Sequence, residues 1–305
     1  MRKSTIKNLL AGLCFALLAP MSAFADIVIN ETFFPDPNFR AHLLELDADL
    51  FEWDKVGYGV ITDDKIAWIT GIEVRNMNIS TLEGIRYFTA LEELWCEENL
   101  LTSLDVSNNT EFKELNFNFK HLTSLDVSKN TALTDLQCNN NQLTSLNVSN
   151  NILLAYLHCS SNQLTSLDVS KNKSLYRLYC YDNNIKGTNM DALISSLPNR
   201  SESNYSLAGI IYIYDSTSET EGNVCTKSQV AAIKAKRWIP YYYNGTSWVV
   251  YEGADETTGI DATEVGNGSE IGANAVAYYL NGNRVEGWQN KKGIYIVNGK
   301  KVVVK

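Results

Sequence analysis

Histidine is scarce in this chain, and the short motifs that mark catalytic centres are missing. Only His42, His121 and His158 occur among 305 residues, and no GxSxG, HExxH, Walker or dinucleotide-binding pattern accompanies them. General acid–base catalysis most often uses imidazole, so none of the common catalytic frameworks is indicated. The sequence predicts a protein that is not an enzyme and needs no cofactor.

Long apolar runs are missing after the first 25 residues. At the start, three basic residues precede an apolar run over 9–19 and an Ala-Phe-Ala site at 23–25. This pattern is typical of a secretory signal peptide, here 1–25 with cleavage before Asp26. No later segment reaches the roughly 20 apolar residues of a membrane-spanning helix. We expect an exported chain without a transmembrane segment, either at the cell surface or outer membrane or secreted.

Basic residues are fewer than acidic residues in this chain. The chain holds 26 Lys and Arg against 35 Asp and Glu, a formal net charge of −9. Nucleic-acid binding depends on Lys and Arg contacts to phosphates, so a nucleic-acid partner is not indicated. The acidity is uneven, because 26–100 holds 16 acidic and 5 basic residues whereas 286–305 holds five Lys and one Glu. An acidic flank is either a solvated surface or a functional patch.

What the chain does have is an internal repeat. LTSLDVS occurs at 101–107, 122–128 and 164–170, and LTSLNVS occurs at 143–149. The period is 21 residues, and self-similarity at such a period indicates a solenoid whose units bury apolar surface only against their neighbours. Each unit has two short extended sides and two Asn-marked turns, with no room for a full helix.

Aligned on this period, the repeats read LxxLxCxxNxL, the leucine-rich repeat signature. The structural ladder consists of inward side chains and turn amides that satisfy backbone groups between coils. Its leucine column is Leu94, Leu115, Leu136, Leu157 and Leu178; its next column is Cys96, Phe117, Cys138, Cys159 and Cys180; its turn column is Asn99, Lys120, Asn141, Asn162 and Asn183. Lys120 breaks the turn column and predicts a local irregularity. The predicted fold is a β-rich, right-handed leucine-rich repeat solenoid with short parallel strands and few helices.

Five cysteines remain after the predicted leader, four of them in one column. A disulfide framework, a metal site and a row of buried thiols are the three interpretations. Inward neighbours one strand apart point the same way, which favours packed thiols over bridges. No CxxC spacing supports a metal site, and we expect no metal.

Both ends of the solenoid carry segments of different composition, as a repeat array needs covered ends. We predict an N-terminal helical cap with a degenerate EF-hand-like stretch, a C-terminal α+β cap that begins with a capping box and contains a tight Asn244-Gly245 hairpin turn, a linker and a small β tail. The boundaries are 26–68 for the N-terminal cap, 69–214 for the solenoid, 215–252 for the C-terminal cap, 253–274 for the linker and 275–305 for the tail.

The LTSLDVSxNTxLxxLxCxxNQ units over about 69–185 resemble the 21-residue repeats of bacterial internalin-J-like surface proteins. The last segment, KKGIYIVNGKKVVVK, resembles the C-terminal sorting tails of the type IX secretion pathway, although it is shorter than those domains. The resemblance implies an exported binding protein whose partner differs from member to member.

The outward-facing positions vary where the scaffold positions repeat. They run from an acidic end to an aromatic end, and Tyr, Trp and Arg are common in binding surfaces. The alternative is that exposed strand positions vary freely. The three columns are Glu93, Glu114, Asp135, Tyr156 and Arg177; Trp95, Asn116, Gln137, His158 and Tyr179; Glu97, Asn118, Asn139, Ser160 and Tyr181.

Two functions follow from this pattern. The first is a non-enzymatic binding protein that recognises a protein ligand, on a host or neighbouring cell, through the concave face of the repeat sheet. The alternative is an envelope-associated glycan-binding or structural spacer protein, in which the aromatic flank at 240–251 makes the contacts. The fold by itself does not choose between them.

Overall fold

The computed structural model describes most of the chain after the predicted leader. Its described residues are 26–46, 51–53, 57–118, 121–201, 207–255, 277–278, 284–285, 293–297 and 300–304. The predicted leader at 1–25, the irregularity at Lys120 and nearly all of the predicted linker lie outside these residues. Within the described part, no helix is long and apolar enough to cross a membrane.

The N-terminal flank combines helices with a small sheet. Its elements are β1 (Ile27–Ile29), α1 (Pro37–Glu45), β2 (Phe51–Trp53), β3 (Gly59–Ile61) and the single turn α2 (Asp63–Ile66), and β3 pairs antiparallel with both β1 and β2. The sequence predicted the helical part of this cap but not the three-stranded sheet. Strand β3 lies in the stretch that resembles an EF-hand loop.

Asp36 connects this flank to the first coil through hydrogen bonds. Its Oδ1 accepts hydrogen bonds from the backbone amides of Asn38 (2.9 Å) and Phe39 (3.0 Å), which caps the start of α1. Its Oδ2 accepts from both the amide and the hydroxyl of Ser80, each at 2.8 Å. One carboxylate therefore caps a helix and holds that helix against the solenoid.

A nine-stranded sheet forms the main body. Its strands in spatial and chain order are β4 (Gly71–Glu73), β5 (Glu93–Trp95), β6 (Glu114–Asn116), β7 (Asp135–Gln137), β8 (Tyr156–His158), β9 (Arg177–Tyr179), β10 (Gly209–Asp215), β11 (Trp238–Tyr243) and β12 (Trp248–Val250). Strands β4 to β11 pair in parallel, and only β12 runs antiparallel to its neighbour. Consecutive coils pair without offset, since Leu115 lies opposite Leu136 and Leu136 opposite Leu157. This confirms the predicted leucine-rich repeat solenoid of short parallel strands.

The core lies behind the sheet and follows the predicted columns. All five leucines of the leucine column are at most 1% exposed, and the Cys and Phe column is fully buried. The thiols at 96, 138, 159, 180 and 225 are unbridged and buried. Burial raises the pKa of each, that of Cys159 to about 12. These side chains therefore act as small apolar groups rather than as thiolates.

Asparagine side chains complete the hydrogen bonding at one turn of four coils, at Asn99, Asn141, Asn162 and Asn183. Asn162 is typical: its Nδ2 donates to the carbonyls of Cys138 (3.0 Å), Cys159 (3.2 Å) and Ser160 (3.1 Å), and its Oδ1 accepts from the amide of Leu143 at 3.0 Å. Residues just before the ladder asparagines have positive φ, as at Ser161 (52°). The amide group thus satisfies backbone groups that a sharp turn leaves out of the sheet.

The opposite turn of each coil uses a second column of buried asparagines. Asn151 donates from Nδ2 to the carbonyls of Val127 (3.0 Å) and Asn130 (2.8 Å) in the preceding coil, and Asn130 and Asn172 repeat this pattern. The LTSLDVS half of the coil contains no strand at 101–107, 122–128, 143–149 or 164–170. On this side of the coil, side-chain amides link consecutive coils in place of a backbone ladder.

The asparagine turn column has one member that the 21-residue period does not reach. Asn223 donates to the carbonyls of Cys180 (2.8 Å) and Ile213 (3.0 Å) and accepts from the amide of Ile185 at 2.8 Å. It follows Asn183 by a long excursion that contains α3 (Thr188–Ser196) and β10. The last coil therefore keeps the ladder chemistry although its length differs.

The C-terminal flank extends the sheet instead of only covering it. Helix α4 (Lys227–Ala235) begins with the predicted capping box of Thr226 and Gln229, and it leads into β11, which pairs in parallel with β10. The β11–β12 connection spans four residues, 244–247, in which Asn244 Oδ1 accepts from the amides of Thr246 and Ser247. The hairpin predicted at Asn244-Gly245 is present, and the chain reverses over 244–247, where the amide of Asn244 also donates to the carbonyl of Ser247 at 3.1 Å.

The described tail residues form a separate antiparallel sheet. Its strands are β13 (Ala277–Tyr278), β14 (Arg284–Val285), β15 (Gly293–Val297) and β16 (Lys300–Val304), in the order β14-β13-β15-β16. This agrees with the small β tail expected from the sequence.

Candidate binding face

The sheet has one face packed on the core and one face turned away from it, which we call the outer sheet face. Side chains alternate between the two faces along a strand, so the residues flanking each buried leucine lie on the outer sheet face. The register places the middle column in the order Glu73, Trp95, Asn116, Gln137, His158, Tyr179, Tyr212 and Tyr241. The first and middle columns named from the sequence lie in paired rows, and Tyr212 and Tyr241 continue the middle one. In the third column Asn139 and Ser160 are buried, so these two do not present an open surface.

Eight ring side chains meet at the C-terminal half of this face, and we call them the aromatic array. The closest pairs are Tyr179 with Tyr212, at 4.0 Å between ring centroids, and His158 with Tyr179, at 4.6 Å. Trp248 on the last strand contacts Tyr212 at 4.8 Å. The members are Tyr156, His158, Tyr179, Tyr181, Tyr212, Tyr241, Tyr243 and Trp248.

The orientation of the rings decides what this array offers to a ligand. Tyr179 and Tyr212 stack with only 4° between their planes. His158 covers the other side of Tyr179, and Tyr241 stacks on the other side of Tyr212 at 5.5 Å and 26°. Both faces of both central tyrosines are therefore covered by neighbouring rings. Their edges and hydroxyl groups are what remains for contact with a ligand.

Four members of the array, Tyr156, His158, Tyr181 and Tyr212, are uncharged at neutral pH. Burial is the main cause that raises the pKa of Tyr156, Tyr181 and Tyr212 above its ordinary value. Burial lowers the pKa of His158 to about 4, and the His158 Nε2 lies 2.8 Å from the Ser160 hydroxyl. Neutral phenols both donate and accept hydrogen bonds, so the array combines apolar rings with hydroxyl groups that can bind polar atoms.

The N-terminal half of the face has the opposite character. Glu93, Glu114 and Asp135 lie directly opposite one another in successive strands, and we call them the acidic row. Asp135 is half-buried, which raises its carboxyl pKa, and it accepts a hydrogen bond from Gln137 at 3.1 Å. The face therefore changes from carboxylates to aromatic rings between β7 and β8.

Trp95 does not join the aromatic array. The guanidinium of Arg75 lies 5.6 Å from the centre of the Trp95 ring, and Arg75 Nε is 2.9 Å from a carboxylate oxygen of Glu97. Asn116 and Gln137 separate Trp95 from His158 in the middle column. Trp95 therefore lies at the acidic end of the outer sheet face and Tyr179 at its aromatic end, in the order that the repeats have in the sequence.

Tyr212, Tyr241, Tyr243 and Trp248 are the array members that repeat counting missed. The last coil is longer than 21 residues, so a fixed period stops at Tyr181. The alternation in GIIYIY, with Ile211 and Ile213 buried and Tyr212 between them, was the available signal. The aromatic flank at 240–251 and the outward columns therefore form one continuous surface.

Comparison with known proteins links the chain to one group of bacterial proteins. A stretch of 77 residues, 25% of this chain, is 39% identical to Internalin J of Listeria monocytogenes serotype 4b (strain F2365). Part of the chain is similar to Internalin J. The match spans 8% of the length of that relative. No protein-family profile matches the chain.

Solved internalin structures are also similar to it. The functional domain of InlJ from Listeria monocytogenes, which includes a cysteine ladder, is 26% identical, with a TM-score of 0.40 over 71% of this chain and 56% of that one. The internalin inlF from the same species is 19% identical, with a TM-score of 0.42 over 67% of this chain and 62% of that one.

Proposed function

We propose that the chain is a non-enzymatic binding protein that recognises a protein ligand with its outer sheet face. The aromatic array supports this proposal: it is a cluster of half-buried tyrosines, one histidine and one tryptophan on the sheet face. Tyrosine and tryptophan often dominate binding energy at protein interfaces, because they bring large rigid contact areas with polar ends.

The ring geometry favours a protein ligand over a sugar. A sugar ring stacks on the exposed flat face of an aromatic side chain, whereas Tyr179 and Tyr212 have both faces covered by neighbours. Edges and hydroxyl groups suit the mixed apolar and hydrogen-bonding contacts of a protein interface. Glycan binding or a spacer role is the second candidate, and Trp248, at the rim of the array, is the residue that supports it.

We also propose that the protein acts outside the inner membrane, at the cell surface or in secreted form. The leader-like segment at 1–25 and the partial similarity to Internalin J support this location. The proposed division of the chain is a solenoid at 69–214 between two caps, followed by a linker and a sorting-like tail at 275–305.

The test compares ligand binding by array variants with binding by the unchanged chain. The mature chain is screened against protein and glycan arrays, and each ligand found is measured by surface plasmon resonance. We expect Tyr179→Ala with Tyr212→Ala to weaken binding of a protein ligand by at least about tenfold, the usual size for hot-spot residues. Trp68→Ala is the control, because Trp68 is 68% exposed on the N-terminal flank, and it should change the affinity less than about twofold.

A second pair separates the rings from their hydroxyl groups. Tyr179→Phe with Tyr212→Phe keeps the stacked rings and removes only the phenolic oxygens, so an intermediate loss is expected if edges and hydroxyls face the ligand. Circular dichroism checks that each variant is folded. Equal affinities for the alanine pair and the Trp68 control would contradict the proposal, and binding to glycans alone would favour the second candidate.

A further inference from the structure

We propose that two copies of this chain associate through the free edge of strand β12, which pairs antiparallel with β12 of the second copy. Strand β12 (Trp248–Val250) is the last strand of the nine-stranded sheet, and β11 is its one described neighbour there. The same three residues serve on both sides of this contact, so it is self-complementary and closes as a two-fold dimer. The contact does not involve the ligand proposed above.

The hydrogen bonds between β11 and β12 determine which way the backbone of β12 points. Two of them flank the strand: the amide of Tyr251 donates to the carbonyl of Pro240 at 2.9 Å, and the amide of Asn244 donates to the carbonyl of Ser247 at 3.1 Å. Bonded and non-bonded residue pairs alternate along an antiparallel ladder. Val249, midway between Ser247 and Tyr251, therefore directs its backbone groups toward β11.

Trp248 and Val250 occupy the non-bonded positions of this ladder. Their N–H and C=O groups point away from β11, and no other described residue bonds to them. Each copy thus offers two donors and two acceptors along one edge. An antiparallel pairing centred on Val249 sets Trp248 of each copy opposite Val250 of the other. Two donors from each of two copies then form four hydrogen bonds, and every outward backbone group of β12 is used.

The side chains at this edge also fit a second copy. Val250 is 43% exposed and lies on the outer sheet face, opposite Tyr241. In the centred pairing, the Trp248 indole of the second copy covers this valine, and cross-strand pairs of an aromatic and a β-branched residue stabilise sheets. The two-fold axis is perpendicular to the sheet, so both aromatic arrays face the same side. The dimer therefore presents two arrays on one continuous surface.

The edge lacks the features that commonly prevent sheets from joining. Native edge strands are protected by charged residues, proline or bulges, whereas 241–251 contains no charged residue and no proline, and β12 pairs with β11 without a register shift. The chain has a net charge of −9, so an uncharged edge is a place where two copies approach without repulsion between like charges. The next residue, Glu252, is paired with Lys234 Nζ at 2.8 Å.

The contact is small, because it joins two strands of three residues. Stable interfaces bury roughly 1,200–2,000 Å², and we therefore expect a weak dimer with a dissociation constant of about 10–100 µM. Sedimentation equilibrium of the mature full-length chain from about 2 to 300 µM covers this range.

Substitutions at position 250 test the edge itself. The amide of Val250 is not bonded to β11, so Val250→Pro removes an outward donor and leaves the bonds between β11 and β12 in place. We expect Val250→Pro and Val250→Lys each to weaken the dimer at least about tenfold. Ile152→Lys is the matched control, because Ile152 is 58% exposed and lies outside the sheet, and it should change the dissociation constant less than about twofold. Circular dichroism checks that each variant is folded.

A cross-link tests the register. In the centred pairing Val249 faces its own counterpart, with Cα atoms about 4.5 Å apart, which lies within the range that a disulfide spans. Val249→Cys should therefore form a covalent dimer under a mild oxidant, and the native thiols at 96, 138, 159, 180 and 225 are buried and should not interfere. Val250→Cys is the control, since its counterpart lies two residues out of register, and it should form little covalent dimer.

Three results would overturn the proposal. One is a chain that stays monomeric up to the highest concentration; another is a dimer that Val250→Pro leaves unchanged. The third is a dimer in which Val249→Cys forms no more disulfide than Val250→Cys. If the chain is monomeric and Val250→Pro instead weakens binding of a protein ligand, the edge receives a strand of that ligand and the second copy is wrong. The Tyr179→Ala and Tyr212→Ala pair should dimerise normally, so failure of the edge and failure of the aromatic array are observed separately.

Discussion

Replacing Asn162 by alanine is expected to destabilise the solenoid by about 2–4 kcal/mol. The side chain is 8% exposed and makes four hydrogen bonds to backbone groups of its own coil and the preceding one. Alanine removes all four without supplying any replacement. Water does not reach this turn freely, so the loss is not compensated as it would be at the surface.

The magnitude follows from what each backbone partner retains. The carbonyls keep one other donor each: Cys138 keeps Asn141, Cys159 keeps Asn183, and Ser160 keeps the amide of Asn140. The amide of Leu143 has Asn162 Oδ1 as its only described acceptor, and Leu143 is fully buried. One orphaned buried amide costs about 1–3 kcal/mol, and the weakened carbonyl contacts add about 1 kcal/mol.

The assay is urea unfolding at equilibrium, followed by tryptophan fluorescence and by far-ultraviolet circular dichroism. Two probes are needed because repeat arrays do not always unfold in one step. Asn150→Ala is the matched control, since Asn150 makes one exposed bond to the carbonyl of Ser128 in the preceding coil; its expected cost is below about 1 kcal/mol. A loss below 1 kcal/mol in Asn162→Ala would refute the assigned role of the asparagine column.

Two further predictions concern ionisable groups. The pKa of His158 is about 4 in the folded chain, below its unfolded value, so the unfolded state binds more protons between these two pH values. The free energy of unfolding should therefore fall by up to about 3 kcal/mol as the pH drops from about 6.5 to 4. His158→Phe should reduce this pH dependence in urea titrations, and an unchanged pH dependence would contradict the prediction. Burial raises the pKa values of Cys96, Cys138 and Cys180. A thiol reagent at pH 8 should therefore label these cysteines only after the chain unfolds. Rapid labelling of the native chain would disprove their burial.

The repeat period predicted the fold because each coil must bury the same columns against the next. The leucine and cysteine columns and the parallel strands follow directly from the spacing of buried and outward positions. The three-stranded sheet of the N-terminal flank was not predictable in this way, since its three-residue strands, unlike those of the coils, belong to no repeat. Such short elements are determined by tertiary pairing more than by local pattern.

The candidate site was predictable only as far as the period holds. Alternation along each strand identified the outward rows, but Tyr212, Tyr241 and Trp248 follow excursions of irregular length. Their alignment with Tyr179 depends on how α3 and α4 return the chain to the sheet, and a period contains no information on that path. The covered ring faces of Tyr179 and Tyr212 likewise depend on side-chain orientation across four strands.

The absence of any offset between consecutive coils has a consequence for how this protein changes over generations. Since Leu115, Leu136 and Leu157 pair at one level, duplicating or deleting one 21-residue unit would leave every ladder continuous. A unit gained between β7 and β8 would move the acidic row away from the aromatic array by one strand spacing, about 4.8 Å. The number of repeats therefore sets the distance between the carboxylates and the rings on the outer sheet face.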